Sequence, residues 1–235
     1  MRKDTQKSEN RLLEALSTEQ FQRIRSQLTT VVLKPGQVLY GPQQPITHLY
    51  FPIDSAISLL SISKDGNSVE IGMIGAEGVV GIAALLGRNS VSYINLVQAG
   101  GKAERVPIVL AKDLFAQSPA FRSLLLRYTY SVIVQVAQSA LCSMFHSVEN
   151  RVARWLLATD DRTPVQPLFY THEFLATILG TRRVSITLAL GAMEKAGIVE
   201  TGRGKITVKD RKALESLSCE CYFISKKEIE SVFNN

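Results

Sequence analysis

The spacing of apolar positions changes along this chain, and each change predicts a different element. Near the N-terminus Phe21, Ile24 and Leu28 recur on one helical face, and Ser17-Thr18-Glu19-Gln20 just ahead has the form of a capping box. Residues 11–28 are therefore predicted helical. From Thr30 the pattern breaks into short β-type runs: Val31-Val32-Leu33, His48 to Phe51, Ala56 to Ser63, Ser68 to Ile74, Ser92 to Val97 and Lys102 to Val106. Lys34-Pro35-Gly36-Gln37 has Pro then Gly at its centre, which specifies a type II turn, and Lys64-Asp65-Gly66-Asn67 signals a hairpin. Several short strands with regular turns predict a small barrel or sandwich.

A third pattern begins at Phe121. No Pro or Gly occurs before Val148, so a helix of roughly 40 Å is predicted. It is apolar on two faces and so needs two partners. Phe121, Leu125, Tyr128, Val132 and Val136 form one stripe; Leu126, Ile133, Ala137, Ala140, Met144 and Val148 form another. One partner is the chain's own β domain, the other the same helix of a second copy, because two-fold dimers are the commonest oligomers. The stripe starting at Phe121 is assigned to that dimer interface. The alternative is a core helix inside a monomer. Residues 149–158 read as a further helix with Val152, Trp155 and Leu156 inward, and 160–167 as a linker with two prolines.

Composition narrows the class. With 46% hydrophobic and 20% charged residues the chain is ordinary for a soluble globular protein. A net charge of +6 favours acidic partners such as nucleic acid without demanding one. Three cysteines, Cys142, Cys219 and Cys221, make no disulfide framework and suit a reducing compartment. Met1 to Asn10 is polar, and no apolar export signal follows. The most apolar stretch, Tyr128 to Phe145, carries Gln135, Gln138 and serines, which a membrane span of about 20 residues tolerates poorly. A cytoplasmic protein without membrane contact is expected.

Thr171 to Gly197 carries the most chemistry. Thr171 can cap a helix buried through Phe174, Leu175, Ile178 and Leu179; Gly180 supplies the turn; a second helix then runs from about Arg182 to Ala196. Helical spacing places Val184, Leu188 and Met193 inward. Two short helices joined through one glycine form a helix-turn-helix pattern. Arg182 and Arg183 open the second helix at the end where the macrodipole disfavours cations by roughly 0.3–1 kcal/mol each. Ser185 and Thr187 add hydroxyls. That arrangement suits phosphates and base edges in a major groove. Ile198 to Val208 then reads as a hairpin with a basic, glycine-rich tip, a wing able to lay Arg203 and Lys205 on the DNA backbone. From Thr171 to Lys212 there are eight basic and four acidic side chains, a local basic footprint.

With these residues in view, the chain resembles the Crp/Fnr family of bacterial transcription regulators over nearly its whole length. The resemblance rests on Val148-Glu149-Asn150-Arg151-Val152-Ala153-Arg154-Trp155-Leu156-Leu157 and on Phe174-Leu175-Ala176-Thr177-Ile178-Leu179-Gly180-Thr181-Arg182-Arg183-Val184-Ser185. It implies an α+β protein: an N-terminal β-roll of the cyclic-nucleotide-binding, jelly-roll kind with its entry helix (1–118), a long dimerisation helix (119–148) and a C-terminal winged helix-turn-helix (149–235). It implies a homodimer, double-stranded DNA as partner and RNA polymerase as a further one. Arg183 matches the base-reading arginine, Arg182 and Ser185 match positions near the backbone, and Thr171 matches the threonine opening the first helix. Val184 stands where the best-known members carry a base-reading glutamate, and Leu188 where they carry a second arginine. A different DNA site follows.

The sensory domain departs further. In the cAMP-binding members a glutamate holds the ribose and an arginine the cyclic phosphate; here Ile82 and Val91 or Ser92 fall at those places. Gly75, Glu77, Gly81 and Arg88 are the nearest candidates for effector contact. A cyclic phosphate buried without a cation costs heavily, so an effector other than cAMP is expected. An iron–sulfur centre needs about four thiolates, yet the first 140 residues hold no cysteine. Haem needs an axial ligand, and His48 is the only histidine before the long helix. Cys219-Glu220-Cys221 could be redox-active or touch a metal, but reads foremost as a structural tail. No metal or cofactor is assigned. Enzyme motifs fail: no nucleophile elbow is present, His172-Glu173 lacks a second histidine, Gly197 to Lys205 lacks the phosphate-loop lysine, and Gly72-Met73-Ile74-Gly75 has the wrong dinucleotide spacing. The reading is a non-enzymatic, sequence-specific DNA-binding regulator. The alternative, a ligand sensor without sequence-specific DNA activity, leaves Arg182, Arg183 and the basic wing unexplained.

Overall fold

Alternate side chains on the N-terminal strands point into two different cores. The computed structural model describes residues 8–163 and 167–234; part of the predicted linker, and the polar residues at the start of the chain, lie outside them. Helices α1 (Arg11–Glu14) and α2 (Thr18–Arg25) lead into β1 (Thr29–Leu33), β2 (Val38–Tyr40), β3 (His48–Pro52), β4 (Ala56–Ile62), β5 (Ser68–Ile74), β6 (Ile94–Ala99) and β7 (Gly101–Pro107). The capping box at Ser17 and Gln20 forms as predicted. Gly36 and Gly66 take φ of 80° and 82° in the two predicted turns, a region closed to most other residues. The strands pair antiparallel in two sheets, ordered β1-β7-β3 and β2-β6-β4-β5. Between them lie Leu33, Ile57, Leu59, Ile74, Val97 and Ala103, the core of a β-roll.

The outer face of the four-stranded sheet is apolar too. Ala56, Leu60 and Met73, with Ile94 and Leu96, share a second core with Val152, Trp155, Leu156, Tyr170 and Leu175. The C-terminal half thus docks directly on the roll. It comprises α5 (Val148–Asp160), α6 (His172–Ile178), α7 (Arg183–Lys195), the hairpin β8 (Val199–Gly202) and β9 (Lys205–Val208), α8 (Arg211–Leu217) and α9 (Glu220–Ser231).

Helices α3 (Ile108–Gln117) and α4 (Pro119–Phe145) connect the halves. Ser147 accepts from the Asn150 amide and caps α5, so the long helix stops at Phe145 instead of reaching Val148. The assigned dimer stripe is corrected. Phe121, Leu125 and Tyr128 are buried in their own protomer against Leu12, Leu13, Phe51 and Val79; Val132 packs half-buried on the same core, and Val136 is half-buried. The two stripes are equally apolar in sequence, and only the position of the β-roll decides which one it covers. The face left exposed carries Leu126, Tyr130, Ile133, Leu141, Met144 and Phe145. Among the described residues no single helix is long and apolar enough to cross a membrane.

Candidate nucleic-acid interface and domain junction

Thr171 Oγ1 accepts from the Phe174 amide at 3.1 Å and starts α6. Gly180, at φ 57°, turns the chain, and Arg182 stands at the N-cap of α7 without a side-chain capping bond. Helix α7 buries Ile186, Ala189, Leu190 and Met193. Arg182, Arg183 and Thr187 are therefore exposed, with Ser185 half-buried beside them. Val184 and Leu188 are corrected from inward to outward: at 68% and 69% exposed they share the outer face with Arg183. Apolar residues on this helix occupy more than one face, so periodicity alone left its rotation undetermined.

The wing turns at Arg203-Gly204 between Gly202 and Lys205, which pair across it. Glu194, near the end of α7, accepts from the Thr201 amide at 2.7 Å and from its hydroxyl at 2.8 Å. These bonds hold the Glu194 carboxyl below the usual carboxylate range and pin the wing to α7. Lys205 Nζ lies 5.6 Å over the exposed Phe169 ring. Gly204 sits beside Thr171, and His172 Nδ1 lies 2.9 Å from Thr187 Oγ1. The start of α6, the outer face of α7 and the wing tip are thus contiguous. Arg182, Arg183, Arg203 and Lys205 form no ion pair among the described residues. Sequence reading missed Glu194, Phe169 and His172, whose roles depend on partners brought in by folding.

Behind this surface Arg151, buried in α5, donates to the Leu179 carbonyl at the C-terminus of α6, where a cation is favoured. Trp155 meets Tyr170 edge-on at 5.0 Å, and Tyr170 stacks on Phe174 at 5.2 Å. The motif is therefore held by α5, the segment that carried the family resemblance.

The effector candidates are not gathered into one site. Glu77 accepts from Arg162 Nε at 2.7 Å, with both side chains almost wholly out of water. Gly75 leaves room for that arginine: a Cβ there would stand 2.7 Å from Arg162 Cγ. Gly81 serves the fold, at φ 96° against the His48 carbonyl, and Arg88 is exposed. Reading the roll in isolation missed Arg162, which arrives from the other domain. Nearby, Ser58 bridges the Glu70 carboxyl (2.6 Å) and Gln98 Oε1, and Gln98 donates to the Tyr170 hydroxyl at 3.2 Å. Burial pushes Glu70 up to about 7, while Ser58 and Arg154 pull it back. A cavity of about 280 Å³ opens here between β5, α4, α5 and α9. Of the cations lining it, Arg11 pairs with Glu230, Arg162 with Glu77 and Lys226 with Asp161. Arg154 pairs with no carboxylate among the described residues, and Arg154 Nε and Ser225 Oγ are buried without a hydrogen-bond partner.

At the far end of α4 the cysteines meet. Cys142 and His146 approach Cys219 and Cys221, which flank the start of α9. The sequence reading found no histidine near the thiols because His146 is about 75 positions away in the chain.

Residues 30–100 match the cyclic nucleotide-binding domain model, and residues 150–217 match the Crp-like helix-turn-helix domain model. A β-roll of the cyclic nucleotide-binding kind docked on a winged helix-turn-helix defines a one-chain transcription regulator. The chain belongs to the Crp/Fnr family of transcription regulators. Transcriptional regulator SdrP of Thermus thermophilus is 25% identical over 191 residues, spanning 80% of this chain and 94% of that protein. A global nitrogen regulator of Synechocystis is 22% identical over 206 residues, 83% and 92% of the two chains. Among solved structures, FixK2 of Bradyrhizobium japonicum superposes with a TM-score of 0.70 at 17% identity, over 82% of this chain and 98% of that one. The relatives are transcription regulators.

Proposed function

We propose that the chain acts in the cytoplasm as a homodimer that reads a two-fold duplex through α7, with Thr171, Arg182, Arg183, Ser185, Thr187, Arg203 and Lys205 at the DNA. The observation that carries this reading is the exposed, unpaired Arg182–Arg183 pair at the N-terminus of α7. Its dipole disfavours them by roughly 0.3–1 kcal/mol each until phosphate or a base edge supplies negative charge. A sensor without DNA activity gives that pair no role. The exposed stripe of α4 supplies the dimer face, and half-sites lie about 34 Å apart. Selection of bound duplexes from a random pool tests the reading. Arg183→Ala should relax base preference by about 1–3 kcal/mol at one position, whereas Lys205→Ala should weaken all sequences alike. Equal, sequence-independent losses from both changes contradict the assignment.

The regulatory input belongs to the domain junction, not to the interior of the roll. Arg154, which interacts with the Glu70 carboxyl without forming an ion pair with it, and the unbonded Ser225 hydroxyl suit a small carboxylic acid in the cavity beside them. Thermal shift against a panel of small carboxylic acids, with cAMP as the control, tests this: a saturable rise lost in Arg154→Ala supports it. A rise with cAMP alone argues for the roll instead.

A further inference from the structure

Four side chains with metal-binding atoms converge where α4 ends and α9 begins. Cys142, His146, Cys219 and Cys221 each present one ligand atom, and all four atoms lie within 4.8 Å of one another. The Cys142 and Cys219 sulfurs are 3.5 Å apart, and Cys221 Sγ is 3.6 Å from His146 Nδ1. Thiolates bound to one tetrahedral zinc at about 2.3 Å have sulfur–sulfur edges of about 3.8 Å. A four-iron cluster is several ångströms across and would hold its sulfurs farther apart. The spacing fits a single ion.

The surroundings fit as well. All three cysteines are buried, and His146 is largely covered. Such closure is the mark of a structural site, with no position left for water or substrate. His146 Nε2 lies 3.3 Å from the Glu220 carboxylate, which leaves Nδ1 to face the thiols. A carboxylate holding the far nitrogen of a ligating histidine is the usual outer-shell arrangement. Cys219 stands at the N-cap of α9 and Cys221 in its first turn, while Cys142 lies in the last turn of α4 and His146 at its C-cap.

We infer that Cys142, His146, Cys219 and Cys221 bind one zinc ion, which clamps the C-terminal helix to the end of the long helix. The clamp lies next to Leu141, Met144 and Phe145 on the exposed stripe of α4, and α5 follows at once. Metal occupancy would therefore set where the DNA-binding half stands relative to the dimer helix.

The full-length protein, purified under reducing conditions, should carry one zinc per chain. Stripped and titrated with cobalt(II), it should develop tetrahedral ligand-field bands and thiolate-to-metal charge transfer, saturating at one equivalent and displaced by zinc. Cys142→Ser and the double change Cys219→Ser/Cys221→Ser should lose the spectrum. Glu220→Gln, which keeps every ligand and guards against mere misfolding, should keep the spectrum and weaken affinity about 10- to 100-fold. Absence of the cobalt spectrum, a spectrum unchanged in the cysteine variants, or iron with acid-labile sulfide in place of zinc would each overturn the assignment.

Discussion

Arg162 Nε donates to Glu77 Oε1 at 2.7 Å across the boundary between the β-roll and the DNA-binding half. Glu77, which the sequence offered as an effector contact, is thereby spent on holding the two domains together. Removing one partner leaves a buried charge, so Glu77→Gln or Arg162→Met should each cost about 3–5 kcal/mol in denaturant unfolding. The double variant should recover most of that loss. Single-variant costs near the 0–1 kcal/mol of surface pairs would show that the junction is open to water in solution.

Glu70 should make stability fall with pH. Its folded value of about 7 lies above the ordinary 4.5, so the folded protein keeps a proton that the unfolded chain has released. Between those values stability declines as pH rises, by up to about 3 kcal/mol, and above about 7 the penalty is complete. Glu70→Gln has no proton to lose. Its unfolding free energy should lack that decline over the window and exceed the wild-type value at pH 8. Parallel wild-type and variant curves would remove Glu70 as the cause.

Ile133 sits in the middle of the exposed stripe of α4 and is 58% exposed in the protomer. Ile133→Glu should give a folded monomer by light scattering, with DNA affinity reduced at least tenfold because one half-site then binds alone. Phe121→Ala, in the protomer's own core, should instead lower stability by about 3–5 kcal/mol without acting on assembly first. Reversal of these two outcomes would restore the original stripe as the interface.

Val184 and Leu188 face outward beside Arg183. Their apolar surface matches thymine methyl groups in the major groove. Leu188→Ala should leave the folded state within about 0.5 kcal/mol of wild type, as for surface positions, while reducing preference for a T·A pair in the selected site. A large loss of stability would mean that the side chain packs inside after all.

Much of this protein was legible in its sequence because the signals are local. Capping of α2 by Ser17, the turns at Gly36 and Gly66, the arginines opening α7 and the glycine between α6 and α7 depend on neighbours a few residues away. Chain order and binary pattern then imply a small barrel or sandwich, a long helix and a winged helix-turn-helix, and the resemblance to the Crp/Fnr family makes the first of these a β-roll. Tertiary structure decided everything that requires a second segment. It chose which stripe of α4 the roll covers, rotated α7 so that Val184 faces out, carried Arg162 to Glu77, and brought Cys142 and His146 to Cys219 and Cys221. Each of those choices turns on distances between residues far apart in the chain, and a pattern that repeats every few residues carries no information about them.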